Sequence, residues 1–152
     1  MQSKKRALYD TINITNVNNI EGISDSIEKA ISHLGENVLD SRIGPFEWVI
    51  RRESKNVTIV YHQKSGTIIA EIELCKLPDL YGYEIFEFLL LENQKLDFTS
   101  LSIQKNCILL SMLLNDQYIT DFILLKYIKN LLDIGDKYNA SLIQKFGCNN
   151  DQ

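Results

Sequence analysis

The sequence has two prolines, no Pro-rich stretch and no internal repeat, so nothing in it marks a linker between domains. It has no apolar run near the roughly 20 residues that a membrane span needs. The longest, Phe88 to Leu91 and Cys107 to Leu114, fall far short, and the second is broken by Ser111. No apolar segment follows the basic cluster Lys4, Lys5, Arg6, so neither a secretory signal nor a membrane partner is expected. Basic charge is not in excess either: 16 Lys and Arg stand against 20 Asp and Glu, a formal charge of -4. Nucleic acid is therefore not expected as the main partner, because phosphate neutralisation needs a concentrated basic face. Cysteine is scarce, odd in number and without a CxxC pair: Cys75, Cys107 and Cys148. Free thiols in a reducing cytoplasm fit that usage, and the sequons at Asn13, Asn56 and Asn139 then carry no sugar.

Chemistry-bearing motifs are missing as well. There is no Gly-rich phosphate loop, no nucleophile elbow and no HExxH. The two histidines, His33 and His62, fall in a helix and at a strand end. A zinc site from His62, Cys75 and Cys107 would have no spacing motif behind it. Glu84, Glu87 and Glu92 share helical spacing, which usually means a solvated face. The expectation is a non-enzymatic protein with no cofactor, no catalytic residue and no metal.

What is present is a chain of 152 residues with ordinary globular composition, enough for one domain with one core. Residues 1–19 are polar and read as a flexible arm, although Ile12, Ile14 and Val17 could form an edge strand. A helix is signalled by Ser24 as N-cap, with Ile27, Ala30, Ile31 and Leu34 at helical spacing and Gly35 to end it. Ile20 and Ile23 extend the same stripe upstream. After a loop through Gly44-Pro45 come three alternating segments, PFEWVIRRE, VTIVYH and TIIAEIEL, joined by the short turns SKN and QKSG. That is an antiparallel meander. A second helix is expected from Pro78 and Asp79 to about Lys95. SLSIQ and CILLSMLL follow as two strands, the second apolar on both faces and so expected to be central and covered. The last helix, capped by Thr120 or Asp121, ends at Gly147. The order is α-β-β-β-α-β-β-α: an α+β fold, one twisted antiparallel sheet packed by helices, spanning residues 20–147, with 148–152 as a disordered tail.

At about 100° per residue the last helix sorts into one apolar and one polar side, with Gly135 in the middle of the apolar side. A glycine there points to close backbone approach to the sheet, with a kink as the alternative. The middle helix is apolar almost all round. Ile85, Phe86, Leu89, Leu90 and Leu96 form one broad side, while Leu91 projects among Glu84, Glu87, Gln94 and Lys95, with Phe88 and Tyr81 beside it. Tyr81, Glu84, Phe88 and Leu91 are therefore the candidate contact with a second copy or a partner; the alternative is cover by the arm or the first helix. Asn93, between Leu89 and Leu96 on the apolar side, must find hydrogen bonds and reads as structural.

Three stretches carry a family resemblance: LPDLYGYEIFEFLLLENQKL, a leucine-rich middle helix with an Asn near its end; FTSLSIQKNCILLSMLL, a strand hairpin; and GDKYNASLIQKFG, a polar Asp-x-Tyr stretch before Leu and Phe-Gly. In element order and in these stretches the chain resembles the class I type III secretion chaperones and the related bacterial sensory transduction regulators, from about Ile20 to Gly147. The resemblance implies a homodimer that binds other proteins, with an effector segment wrapping apolar grooves and adding strands. A stand-alone regulatory or small-molecule-sensing domain is the second reading, and an unrecognised hydrolase using a Glu and a His the third.

Overall fold

The computed structural model describes residues 20–52 and 55–149; the expected arm at 1–19 lies outside them. Helix α1 (Ile20–His33) buries Ile23, Ile27, Ala30 and Ile31, the one stripe that a 3.6-residue period brings to one side. Gly35, at φ 83°, turns the chain out of it. The loop expected next holds two short elements. Asn37 Oδ1 accepts from the Leu39 N–H at 2.9 Å and caps a four-residue helix, α2 (Val38–Ser41). Strand β1 (Arg42–Gly44) then forms the sheet margin.

The meander follows as β2 (Glu47–Arg51), β3 (Asn56–His62) and β4 (Thr67–Lys76). Helix α3 (Tyr83–Asn93), strands β5 (Thr99–Gln104) and β6 (Cys107–Asn115), a 3-10 turn (Asp116–Tyr118) and helix α4 (Asp121–Phe146) complete the chain. Every ladder is antiparallel, in the order β1-β2-β3-β4-β6-β5, so β6 slots between β4 and β5. The fold is α+β, with α2 and β1 added to the expected order.

α3 starts later than expected. Pro78 and Asp79 lie outside it, and the residue before its first turn is Gly82, which gives no side-chain cap. The strand course continues to Leu77, whose N–H donates to the Asn106 carbonyl at 2.8 Å and whose side chain is buried. The chain must then pass β6 to reach the far side of β5, and residues 78–82 make that crossing.

One sheet face is dry. Trp48, Ile50, Val57, Ile59, Ile68, Ala70, Ile72, Leu110 and Met112 are buried there in one cluster with the apolar sides of α1 and α4; the two helices pack on each other, and α4 crosses β4 and β6. The period-2 alternation leaves Val49, Thr58, Ile69 and Ser111 half-buried on the other face. β6 is interior to the sheet as expected, but among the described residues one of its faces is fully buried while the other is half-buried at Leu109 and Ser111 and exposed at Leu113.

Polar ties fix the helices over this face. The Trp48 Nε1–H donates to Glu28 Oε1 on α1 at 3.3 Å, and Arg42 reaches the same oxygen at 3.0 Å. The buried ammonium of Lys55 pairs with Asp136 on α4. Gly135 is buried where α4 crosses the sheet: a Cβ there would meet Ile72 Cδ1 at 3.1 Å and Leu74 Cδ2 at 3.6 Å. Thr120 Oγ1 accepts from the Ile123 N–H to start α4, and Gly147, at φ 67°, ends it. The tail expected from residue 148 overlaps this structure, because Cys148 is buried and Asn149 pairs with Lys76 through bonds of 2.9 and 3.2 Å.

Candidate functional site

The contact candidates centre on α3, which is held between β5 and α4. On one flank, Asn93 reaches β5: its Nδ2 donates to the Leu101 carbonyl at 2.9 Å, and its Oδ1 accepts from the Leu101 N–H at 2.7 Å. β5 is a sheet margin, so these are groups that a further strand would take. The amide of Asn93 occupies them as a strand would. On the other flank, Phe88 lies against Phe146 of α4 with ring centroids 5.3 Å apart, and the Lys145 ammonium sits 4.6 Å above the Phe88 ring. Glu92 accepts from the Tyr138 hydroxyl at 2.9 Å and pairs with Lys95 at 2.6 Å. The Lys95 bond, with help from Tyr138, holds the Glu92 carboxyl below the usual glutamate range against an opposing effect of burial. Ile85 and Leu89 are buried between the flanks.

Two neighbours at the sides change which residues meet solvent. Phe88 is half-buried on the α4 flank and does not stand free beside Leu91. Phe86 and Leu90, expected to face the sheet, are 39% and 67% exposed. Tyr81 and Leu91 are about half exposed, Tyr83 is more so, and Glu84 and Glu87 are exposed. Tyr81 stacks edge-on against Phe86 at 5.6 Å. The outer face of α3 is thus apolar at Tyr83, Phe86, Leu90 and Leu91, with the two glutamates between. The signal for Phe86 and Leu90 was in the sequence, but choosing between them and Phe88 required knowing that α4 lies on one flank.

The residues weighed for chemistry do not converge. His33 and His62 are exposed on separate elements, and Cys75 is buried. Among the described residues no three His, Cys, Asp or Glu side chains are placed to hold a metal ion. Burial raises the Cys75 thiol well above its ordinary range, the neighbouring Cys148 adds to the rise, and burial raises Cys148 too. Neither is poised as a thiolate nucleophile. The buried polar contact Tyr61 Oη to Asp116 Oδ2, 2.8 Å, closes the β3–β4 turn against the end of β6. Among the described residues no helix is long and apolar enough to cross a membrane.

A second surface was not expected from the sequence. An open groove of about 860 Å³ runs between the α3–β5 connection and α4. Its walls include Leu96, Phe98 and Thr99 on one side and Phe122, Tyr127 and Lys129 on the other. Phe98 and Tyr127 meet edge-on at 5.4 Å, and Phe98 and Phe122 are exposed.

No protein-family model matches the sequence, and no curated protein sequence matches it. Solved structures do. A chain of the ExsC–ExsE complex superposes with a TM-score of 0.67 at 14% identity, over 79% of this chain and 92% of that one. The HopA1–SchA chaperone–effector complex matches with a TM-score of 0.62 at 7% identity, over 78% and 93%. The Yersinia pestis type III secretion chaperone SycH, bound to a fragment of YscM2, matches with a TM-score of 0.57 at 15% identity, over 75% and 97%. The chain therefore has the fold of the type III secretion chaperones.

Proposed function

We propose that this chain is a non-enzymatic, cytoplasmic, homodimeric module that binds other proteins in the manner of a type III secretion chaperone, with an effector-like segment as the partner. The observation that carries the reading is the outer face of α3, where four large apolar side chains stand exposed around Glu84 and Glu87, in a fold whose solved examples include complexes with other proteins. Tyr81, Phe86, Leu90 and Leu91 contact a second copy there, Glu84 lies at the rim, and Phe88 supports the face from beneath through Phe146. One face presented by both copies suits a two-fold contact.

The test is light scattering at micromolar concentration on the chain and on a Phe86→Glu, Leu90→Glu variant. Leu90 is mostly exposed, so the charges load the surface without opening the core. The chain should be a dimer and the variant a folded monomer by circular dichroism. A monomeric wild type, or a variant that remains dimeric, refutes the α3 contact.

A further inference from the structure

The groove beside α4 does not end at its widest part. A smaller hollow of about 350 Å³ shares Leu96 and Ile134 with it and continues to Phe88 and Lys145. Together they make one trough along α4 from Phe122 to Lys145, about 35 Å at 1.5 Å per residue. That length accommodates about ten residues of extended chain. Phe98 and Phe122 stand exposed in its wide end, so aromatic area waits there for cover.

The charge of the trough is opposite to that of the molecule. Its α4 wall carries Lys126, Lys129, Lys137 and Lys145, with Asp133 as the one acid on that wall. None of these four lysines forms a salt bridge among the described residues. The facing wall adds Asp97 and the mutually neutralised pair Lys95–Glu92. Five lysines thus face three carboxylates on a chain whose formal charge is -4.

We propose that this trough, separate from the outer face of α3, docks an extended segment of another protein in which apolar residues alternate with Asp or Glu. The apolar side chains enter between Phe98, Phe122 and Leu96, and the carboxylates meet the lysines of α4. The inference rests on the reading that this chain binds proteins, and it names the partner's chemistry and a place for it. The lysine wall speeds encounter and rejects basic segments, since like charges at close range cost more than a matched rim pair gains.

Fluorescence anisotropy on the full chain tests it, with a labelled peptide of about ten residues alternating leucine and glutamate, and a second with lysine in place of glutamate. The acidic peptide should bind at least tenfold more tightly, and its affinity should fall several-fold as salt approaches 1 M. A Lys126→Glu, Lys129→Glu, Lys137→Glu variant should reverse the preference with an unchanged melting temperature. Should it not fold, Lys129→Gln with Lys137→Gln removes charge without adding any and should reduce the preference. Equal binding of both peptides, no binding of either, or a preference unmoved by the substitutions overturns the proposal. A groove variant that loses its dimer also overturns it, because the trough would then be a contact between copies. Phe86→Glu with Leu90→Glu separates the two surfaces: it should abolish self-association and leave acidic-peptide binding intact.

Discussion

Replacing Asn93 tests how α3 is attached to the sheet. Its amide makes two bonds to the same residue of β5, at 2.9 and 2.7 Å, and both go to main-chain groups of Leu101. Asn93→Ala removes two hydrogen bonds, each contributing about 1 kcal/mol net, and strands a backbone donor and acceptor whose loss of partner costs about 1–3 kcal/mol when dry. The site is half-buried, so water restores part of that, and about 2 kcal/mol in total is expected. For a domain of this size that lowers the melting temperature by about 4–8 °C. Asn93→Asp isolates the donor half: the carboxylate keeps the bond from the Leu101 N–H but faces the Leu101 carbonyl with no proton to give. This variant should be destabilised at pH 7 and recover part of the loss as the pH falls through its raised pKa, when the protonated acid can donate. Urea denaturation at several pH values measures both variants, and hydrogen exchange at the Leu101 amide reports the freed strand margin. An alanine variant within about 0.5 kcal/mol of wild type, or an aspartate variant whose deficit does not change with pH, would refute the strand-like role of the amide.

Other substitutions probe the remaining polar supports. Gly66 has φ 64°, and a Cβ there would stand 2.8 Å from Asp116 Oδ1, so Gly66→Ala should cost about 2 kcal/mol or more in urea denaturation. Tyr61→Phe leaves Asp116 without its hydroxyl donor and should cost about 1–3 kcal/mol. Because both changes disturb Asp116, the double variant should lose less than the sum, and strict additivity would contradict a shared contact. Glu92 titrates below its ordinary value of about 4.3 in the folded chain, so its contribution is complete above that pH and disappears as pH falls through the folded pKa. The stability gap between wild type and Glu92→Gln should therefore shrink from pH 7 toward pH 3, and a constant gap would exclude the ion pair as its source.

The sequence disclosed the elements whose signal is periodic. The stripe of α1, the alternation of β2 to β4 and the long apolar side of α4 all lie where the spacing places them. Helix α2 and strand β1 are too short to show a period, although Asn37 before Leu39 is a cap signal in retrospect. Pro78-Asp79 misled because local helix-start chemistry yielded to topology: Leu77 is held by Asn106, and the chain must cross β6 before coiling. The same limit applied to α3. Angular sorting shows too much apolar surface on that helix, but the choice between Phe88 and Phe86 with Leu90 depends on where Phe146 lies, 58 residues after Phe88 in the sequence. The trough beside α4 is formed by residues from two distant segments, and no window on either one contains it.

The position of β6 has a consequence in time. β4 ends at Lys76, and the strand that pairs with it runs to Asn115. On a translating ribosome, at about 5–20 residues per second, the two are separated by about 2–8 seconds. During that interval the meander can form while one margin of β4, ten residues long and rich in isoleucine, stands open to any passing strand. Burial of that margin belongs to the second half of synthesis, when β5 and β6 arrive as a hairpin and only β6 can fill the gap. A chain stopped after Lys76 would keep the margin open for its whole lifetime.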